Sequence, residues 1–352
     1  MIRVLIVDDS AFSRVALGKM MQTDPRIRIV GYAVNGEEGL KKILELKPDV
    51  VTLDLEMPRM GGFGLLRHIM QNSPVPVLVV SSQSQRQDVF KALDLGAVDF
   101  ISKPARAKSS DLYRIQQDLI NKVLESAQLS GEKIKQRLVY DTEINASDRS
   151  PRYSVNHKSS ALLIGCSTGG PPALHHLLTT LKEKLPVPVA VSQHMPEGFT
   201  RSFAQRLNEH SKMAVKEAVD GDQMLPGQVL ICPGSKNIEL QNFAGAVRVR
   251  IVDPPEGQIY TPSVDVLFRT AAYVYGSKAL GVVLTGMGND GASGVEELVN
   301  HGGRVLAEAE ESCVVYGMPK EAAMTGKVEK VVPLNGMLRE IEQRCRPLNR
   351  KD

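Results

Sequence analysis

Short apolar runs alternate along the chain with longer stretches in which apolar residues return every three or four positions. The two periods predict strands and amphipathic helices in turn. Over the N-terminal third the predicted strands are Val4–Val7, Ile27–Tyr32, Val50–Leu53, Val77–Val80 and Asp99–Ile101. Helical stretches such as Gly36–Leu46 and Gln87–Leu95 lie between them, and Pro48, Pro58, Pro74, Pro76 and Pro104 mark element ends. Strands this continuously apolar are covered on both faces, which implies a parallel sheet. Five strands and five helices in this order fit a flavodoxin-like (βα)5 fold, closed by a helix from about Ser110 to Gln128.

After that helix the pattern lapses. Residues 126–158 are polar, with no sustained period, and contain the loop-forming run Asn145-Ala146-Ser147-Asp148-Arg149-Ser150-Pro151. They read as a linker between one domain at 1–125 and another at 159–347. From Ala161 a second alternation predicts buried strands at Ala161–Gly165, Val187–Ser192, Val229–Cys232, Leu280–Thr285 and Arg304–Glu308. Helices are predicted at Pro171–Leu185, Phe199–His210, Ser263–Tyr275 and Ser293–Asn300, and Ile238–Val252 alternates as a β-hairpin does. The second domain is again α/β, doubly wound around a mostly parallel sheet.

The length of 352 residues suits two such domains. A formal net charge of +3 is too small to imply nucleic acid or an acidic membrane surface as partner. No apolar run has the length of a transmembrane helix and the N-terminus reads as a strand, so neither membrane insertion nor a signal peptide is expected. Cys166, Cys232, Cys313 and Cys345 are scattered without metal-ligand spacing, as reduced thiols in a cytoplasmic chain are.

Candidate chemistry gathers at strand ends. Asp8 and Asp9 end the first strand and Asp54 the third, and groups at the carboxyl ends of adjacent parallel strands converge on one crevice. Three carboxylates there repel one another unless a hard cation lies between them, and Mg²⁺ suits an all-oxygen set. Ser81 ends the fourth strand and Lys103 follows the fifth, a hydroxyl and an ammonium placed to meet an anion. Each acid alone reads as a solvated strand-end residue. Together they describe a phosphorylatable aspartate: Asp54 takes the phosphoryl group, Lys103 pairs with one phosphate oxygen and Ser81 donates to another.

VLIVDDS, LDLEMPRMGG, VVSSQS and FISKP resemble the signature segments of a two-component receiver domain. The resemblance implies Asp54 as acceptor, with Asp8, Asp9, Asp54 and the Glu56 backbone carbonyl as metal ligands. It also implies Phe100 as a rotameric switch aromatic beside Ser81 and Lys103, and a histidine kinase as phosphodonor. Gly61 departs from the commoner Met-Asp-Gly, past the site.

The stretch IGCSTGGPPAL, Ile164–Leu174, runs from a strand through a glycine turn into a helix. That shape cradles a phosphate or exposes a nucleophile, and Gly165-Cys166-Ser167-Thr168-Gly169 matches G-x-S-x-G. As a nucleophile Ser167 needs a base and an acid from other strand ends. His194 lies just past Val187–Ser192, and Asp290 lies in the glycine-rich turn after Leu280–Thr285. All three are therefore predicted on one edge of one sheet. The remaining histidines fall within helices, at helix ends or in the linker. The order Ser, His, Asp departs from the α/β-hydrolase order, in which the acid precedes the histidine. Backbone N–H groups at the helix start, and the Met287 N–H, are candidate oxyanion donors. No metal or cofactor is expected there.

IGCSTGG, QHMPEGFTRSFAQRLN, TGMGNDGASG and SCVVYGMPKEA together resemble the CheB chemotaxis methylesterase domain. The resemblance implies Ser167, His194 and Asp290 as catalytic residues with Thr168 beside the nucleophile, and Cys166 stands where Ala is commoner. It implies hydrolysis of glutamate γ-methyl esters, and deamidation of glutamines, on the cytoplasmic helices of chemoreceptors, by a monomer. An unmodified receiver is expected to cover the cleft and phosphorylation of Asp54 to uncover it. A DNA-binding output would need a helix-turn-helix and a basic face, and a nucleotide-binding output would leave His194 and Asp290 without a role. A serine protease shares the chemistry and differs in substrate.

Overall fold

The computed structural model describes residues 1–81, 86–103, 109–129 and 158–346, so the predicted linker lies outside them over 130–157. The chain forms two compact units, Met1–Ala146 and Ser147–Asp352. In the first, β1 (Ile2–Val7), α1 (Ala11–Met21), β2 (Ile27–Ala33), α2 (Gly36–Leu46) and β3 (Val50–Asp54) are followed by α3 (Gly62–Asn72), β4 (Val77–Ser81), α4 (Arg86–Asp94), β5 (Asp99–Ser102) and α5 (Ser109–Ser126). The five strands pair in parallel in the order β2-β1-β3-β4-β5. Every residue of β3 and β4 is buried, as their largely apolar runs require, and the polar Asp54 and Ser81 are buried at the strand ends. Local chemistry sets the helix starts. The Ser10 hydroxyl caps α1 by accepting the Ser13 N–H, and Asn35 caps α2 by accepting the Glu38 N–H while Glu38 accepts the Val34 N–H. Strand order reverses direction between β1 and β3, which opens a crevice above their carboxyl ends.

The second unit runs β6 (Ala161–Cys166), α6 (Gly170–Thr180), β7 (Val189–Gln193), α7 (Phe199–His210), β8 (Ala214–Glu217), β9 (Gln228–Ile231), β10 (Asn237–Phe243) and β11 (Ala246–Val252). It continues with α8 (Val264–Tyr275), β12 (Ala279–Val283), α9 (Ala292–Asn300), β13 (Arg304–Glu308), α10 (Met318–Met324), β14 (Lys330–Val332) and α11 (Leu334–Cys345). Seven strands pair in parallel in the order β14-β13-β12-β6-β7-β9-β8. β10 and β11 form the separate antiparallel hairpin that the alternation predicts. Its two-residue turn, Ala244-Gly245, has positive φ at both positions, 51° and 80°, as the twist of a tight hairpin demands.

Most boundaries differ from the sequence reading by a residue or two, as where the strand expected over Leu280–Thr285 spans Ala279–Val283; two others are instructive. The helix expected to reach Leu185 stops at Thr180, where Leu181 leaves helical geometry at ψ 121° and the Thr179 and Thr180 hydroxyls donate to the His175 and His176 carbonyls. The next strand begins at Val189 instead of Val187, since Pro188 has no N–H for the ladder and contributes its carbonyl to Leu162 instead. The core of this unit centres on α8, whose Phe268 packs against Gly281 of β12 and Gly294 of α9. Added Cβ atoms at those glycines would lie 3.1 and 2.7 Å from Phe268 atoms. Small residues there let the helix approach, and burial of the ring contributes about 3 kcal/mol.

Candidate functional site

In the first unit the structure brings the predicted acids together. One oxygen from each of Asp8, Asp9 and Asp54 falls within 4.8 Å of the others, with Asp8 and Asp54 buried and Asp9 exposed. Lys103 Nζ lies 2.5 Å from Asp54 Oδ2 and 3.1 Å from Asp8 Oδ2. Burial pushes the Asp54 carboxyl above the usual carboxylate range, and Lys103 offsets part of that rise. Burial also works against the Lys103 charge, yet its bonds to two carboxylates hold the ammonium above its ordinary value. One lysine shared between two acids leaves each carboxylate less than fully compensated. The three clustered carboxylates, only two of them paired with the ammonium, form a hard, all-oxygen donor set that fits a divalent cation. Glu56 is exposed, and its N–H is 3.4 Å from Asp54 Oδ1. Ser81 is buried at the end of β4, where its carbonyl accepts the Lys103 N–H, and Phe100 points inward at 2% exposure.

Ser167, His194 and Asp290 follow β6, β7 and β12, which are neighbours in the sheet. The crevice between β6 and β12 is where successive connections leave in opposite directions, the usual binding edge of such sheets. Ser167 lies at this edge, in the turn before α6, and is buried at 8% exposure. Gly169 caps that helix at φ 79°, and an added Cβ would strike Val314 at 2.0 Å. His194 Nε2 lies 2.7 Å from Asp290 Oδ2. Among the described residues no hydrogen bond joins the Ser167 hydroxyl to the imidazole, a contact that commonly tightens once substrate is bound.

Asp290 is held from all sides. Its Oδ2 also accepts the Val264 N–H at 2.7 Å, and its Oδ1 accepts the Ser263 hydroxyl and the Asp265 N–H, each at 3.0 Å. Burial alone would raise this carboxyl, but His194 and the two N–H groups outweigh it and hold it below the usual range. The neighbouring Asp265 accepts the Gly291 and Gly294 N–H groups at the start of α9. Burial and the Asp290 charge push Asp265 up to about 6. One carboxylate therefore stays ionised toward the histidine while its neighbour takes up the strain of like charge.

Behind Ser167 lies a polar network that sequence reading did not find. Glu308, fully buried at the end of β13, accepts the Thr285 N–H at 2.8 Å and the Ser312 hydroxyl at 2.9 Å. Thr285 in turn donates its hydroxyl to the Thr168 carbonyl at 2.9 Å, and its carbonyl accepts the Ser167 N–H at 3.0 Å. The Ser167 N–H is thus committed inward and is no oxyanion donor. Gly286 presses so close that an added Cβ would lie 2.8 Å from Ser167 Cβ, which brings the Met287 loop beside the nucleophile. Thr168 is buried and Met287 half-buried. Cys166 is fully buried, donates its thiol to Gln193 Oε1 at 3.0 Å, and burial pushes its pKa well up, so it packs as an inert thiol. Glu308 ends β13 and Thr285 lies just past β12, on the same edge as the triad, and that position is the signal that could have found them.

A receiver-type unit with an acidic rim, joined in one chain to a parallel α/β unit with serine, histidine and aspartate on one edge, defines a phosphorylation-regulated serine hydrolase. Residues 162–341 match the CheB methylesterase family, and residues 4–113 match the response regulator receiver domain. The chain belongs to the CheB methylesterase family. Protein-glutamate methylesterase/protein-glutamine glutaminase 3 of Geobacter sulfurreducens is 48% identical over 361 residues, covering 98% of this chain and 97% of that one. Protein-glutamate methylesterase/protein-glutamine glutaminase 1 of Myxococcus xanthus is 44% identical over 334 residues, covering 95% and 94%. The CheB methylesterase catalytic domain of Thermotoga maritima, a crystal structure, is 39% identical with a TM-score of 0.51, covering 52% of this chain and 97% of that one. No described helix is long and apolar enough to cross a membrane.

Proposed function

We propose that this protein removes methyl groups from glutamate γ-methyl esters and deamidates glutamines on chemoreceptors, using Ser167 as nucleophile, His194 as base and Asp290 as the orienting acid. The observation that carries the assignment is the 2.7 Å bond from His194 to Asp290 on the sheet edge that also bears Ser167. An ionised Asp290 accepts a proton-bearing Nε2, which leaves Nδ1 as the nitrogen that takes the serine proton. Ser167 Oγ bonds to the γ-carbonyl carbon, the carbonyl electrons move onto oxygen, and backbone N–H groups, the Met287 N–H as candidate, receive the oxyanion. Collapse breaks the bond to methoxide or amide, and His194 returns the proton to give methanol or ammonia. Water then repeats the sequence against the Ser167 ester and leaves a glutamate carboxylate.

The first unit carries the control. Asp54 accepts a phosphoryl group from a histidine kinase, Lys103 pairs with it, and Ser81 and Phe100 register the change. Asp8, Asp9, Asp54 and the Glu56 carbonyl would hold Mg²⁺, which offsets phosphoryl charge when bound. The cytoplasm is where such receptor helices and such a kinase meet. Because one serine serves both reactions, unmethylated glutamine-bearing receptor should inhibit methanol release competitively, with a Ki equal to its KM for ammonia release. Non-competitive inhibition, or none, would mean two sites.

A further inference from the structure

The loop between β11 and α8 brings to the site a side chain that the proposed triad does not use. Tyr260 is half-buried there with its ring stacked on the His194 imidazole, centroids 5.2 Å apart and planes 9° from parallel. Its backbone is pinned. Gln258 Nε2 donates to the Tyr260 carbonyl at 2.6 Å and to Asn237 Oδ1 at 3.1 Å, and Asn237 Nδ2 donates back to Gln258 Oε1 at 3.0 Å. The buried Asn237 Oδ1 also accepts the Ser263 N–H at 2.9 Å, which ties the loop to the helix start that grips Asp290. The far end of the ring is fitted as closely. A Cβ added to Gly288, in the turn carrying Asp290, would lie 2.1 Å from the Tyr260 hydroxyl oxygen.

Space-filling alone requires neither a parallel ring nor a doubly bonded loop. A flat face against the imidazole fixes the plane of a ring that is otherwise held at one nitrogen. The negative face of an aromatic ring also favours a cation lying over it. We propose that Tyr260 is a positioning residue for His194: its ring holds the imidazole plane so that Nε2 stays on Asp290, and it stabilises the imidazolium formed as Ser167 loses its proton. This rests on the reading of Ser167, His194 and Asp290 as the catalytic set. The ring carries the role and the hydroxyl does not.

The test is methanol release from methylated receptor by the full-length Tyr260→Phe, Tyr260→Leu and Tyr260→Met proteins, with Tyr260→Leu also placed in His194→Ala. Tyr260→Phe should keep kcat within about twofold, whereas Leu and Met should lower it roughly 2- to 30-fold with KM unchanged. In the His194→Ala protein the Leu substitution should change nothing further. Met serves if Leu fails to fold, as a melting curve would reveal. Wild-type kcat in both aliphatic variants, a Phe variant as slow as Leu, a change confined to KM, or an equal loss in the His194→Ala background would each overturn the proposal while leaving the triad intact. Full activity of His194→Ala itself would overturn the triad and this proposal with it.

Discussion

Asp290→Asn is expected to lower kcat for methanol release on the order of 10⁴-fold. The structure surrounds that carboxylate with four donors: His194 Nε2, the Ser263 hydroxyl and the Val264 and Asp265 N–H groups. An amide keeps the volume but turns one acceptor oxygen into an NH₂ group. Whichever way it points, that NH₂ meets N–H or O–H donors. If it faces His194, the imidazole must offer its lone pair to the amide and hold its proton on the serine side, the wrong tautomer for a base. If it faces away, it opposes the Ser263 hydroxyl or backbone N–H groups and costs about 1–3 kcal/mol of stability. Either arrangement removes the negative charge that offsets the imidazolium. Initial rates at saturating receptor, with a melting curve to confirm folding, read the effect.

Asp54→Asn is expected to abolish the response to phosphodonor. A small phosphodonor with Mg²⁺ should change the rate of the wild-type protein roughly 5- to 150-fold, the usual span of an allosteric coupling, and leave the Asn variant at its unstimulated rate. The amide has no oxygen anion to attack phosphorus. It also sets its NH₂ or its neutral oxygen against Lys103 Nζ, which now lies 2.5 Å from a carboxylate oxygen. Asp8, 3.1 Å from the same ammonium, retains the lysine, so the rim stays folded. Methanol release with and without phosphodonor, on both proteins, is the measurement.

Much of this was legible in the sequence because it depends on period and on strand ends. β13 over Arg304–Glu308, α2 over Gly36–Leu46 and α7 over Phe199–His210 are found where the pattern predicts them. The three triad candidates lie on adjacent strands because a parallel sheet sends all its carboxyl ends to one edge. What escaped has a different physical origin. β8 and β14 are short and bury only Val215 and Val332, so neither carries the apolar run that marks β5 and β9. The grip of Ser263, Val264 and Asp265 on Asp290 joins segments about 25 residues apart through one hydroxyl and two backbone N–H groups, and the N–H groups carry no residue-type signal. Nor does a sequence say which imidazole nitrogen faces the acid, or that Tyr260 lies flat on the ring. Glu308 sat at the end of a recognised strand, but its partners Thr285 and Ser312 come from two other segments.

If Ser167 is the nucleophile, methanol release from methylated receptor membranes by the full-length Ser167→Ala protein is the decisive measurement. The rate is expected to fall at least about 10³-fold below wild type, the remaining activity being what the oxyanion donors and binding achieve without a nucleophile. Methanol release at the wild-type rate by the folded Ser167→Ala protein would contradict it.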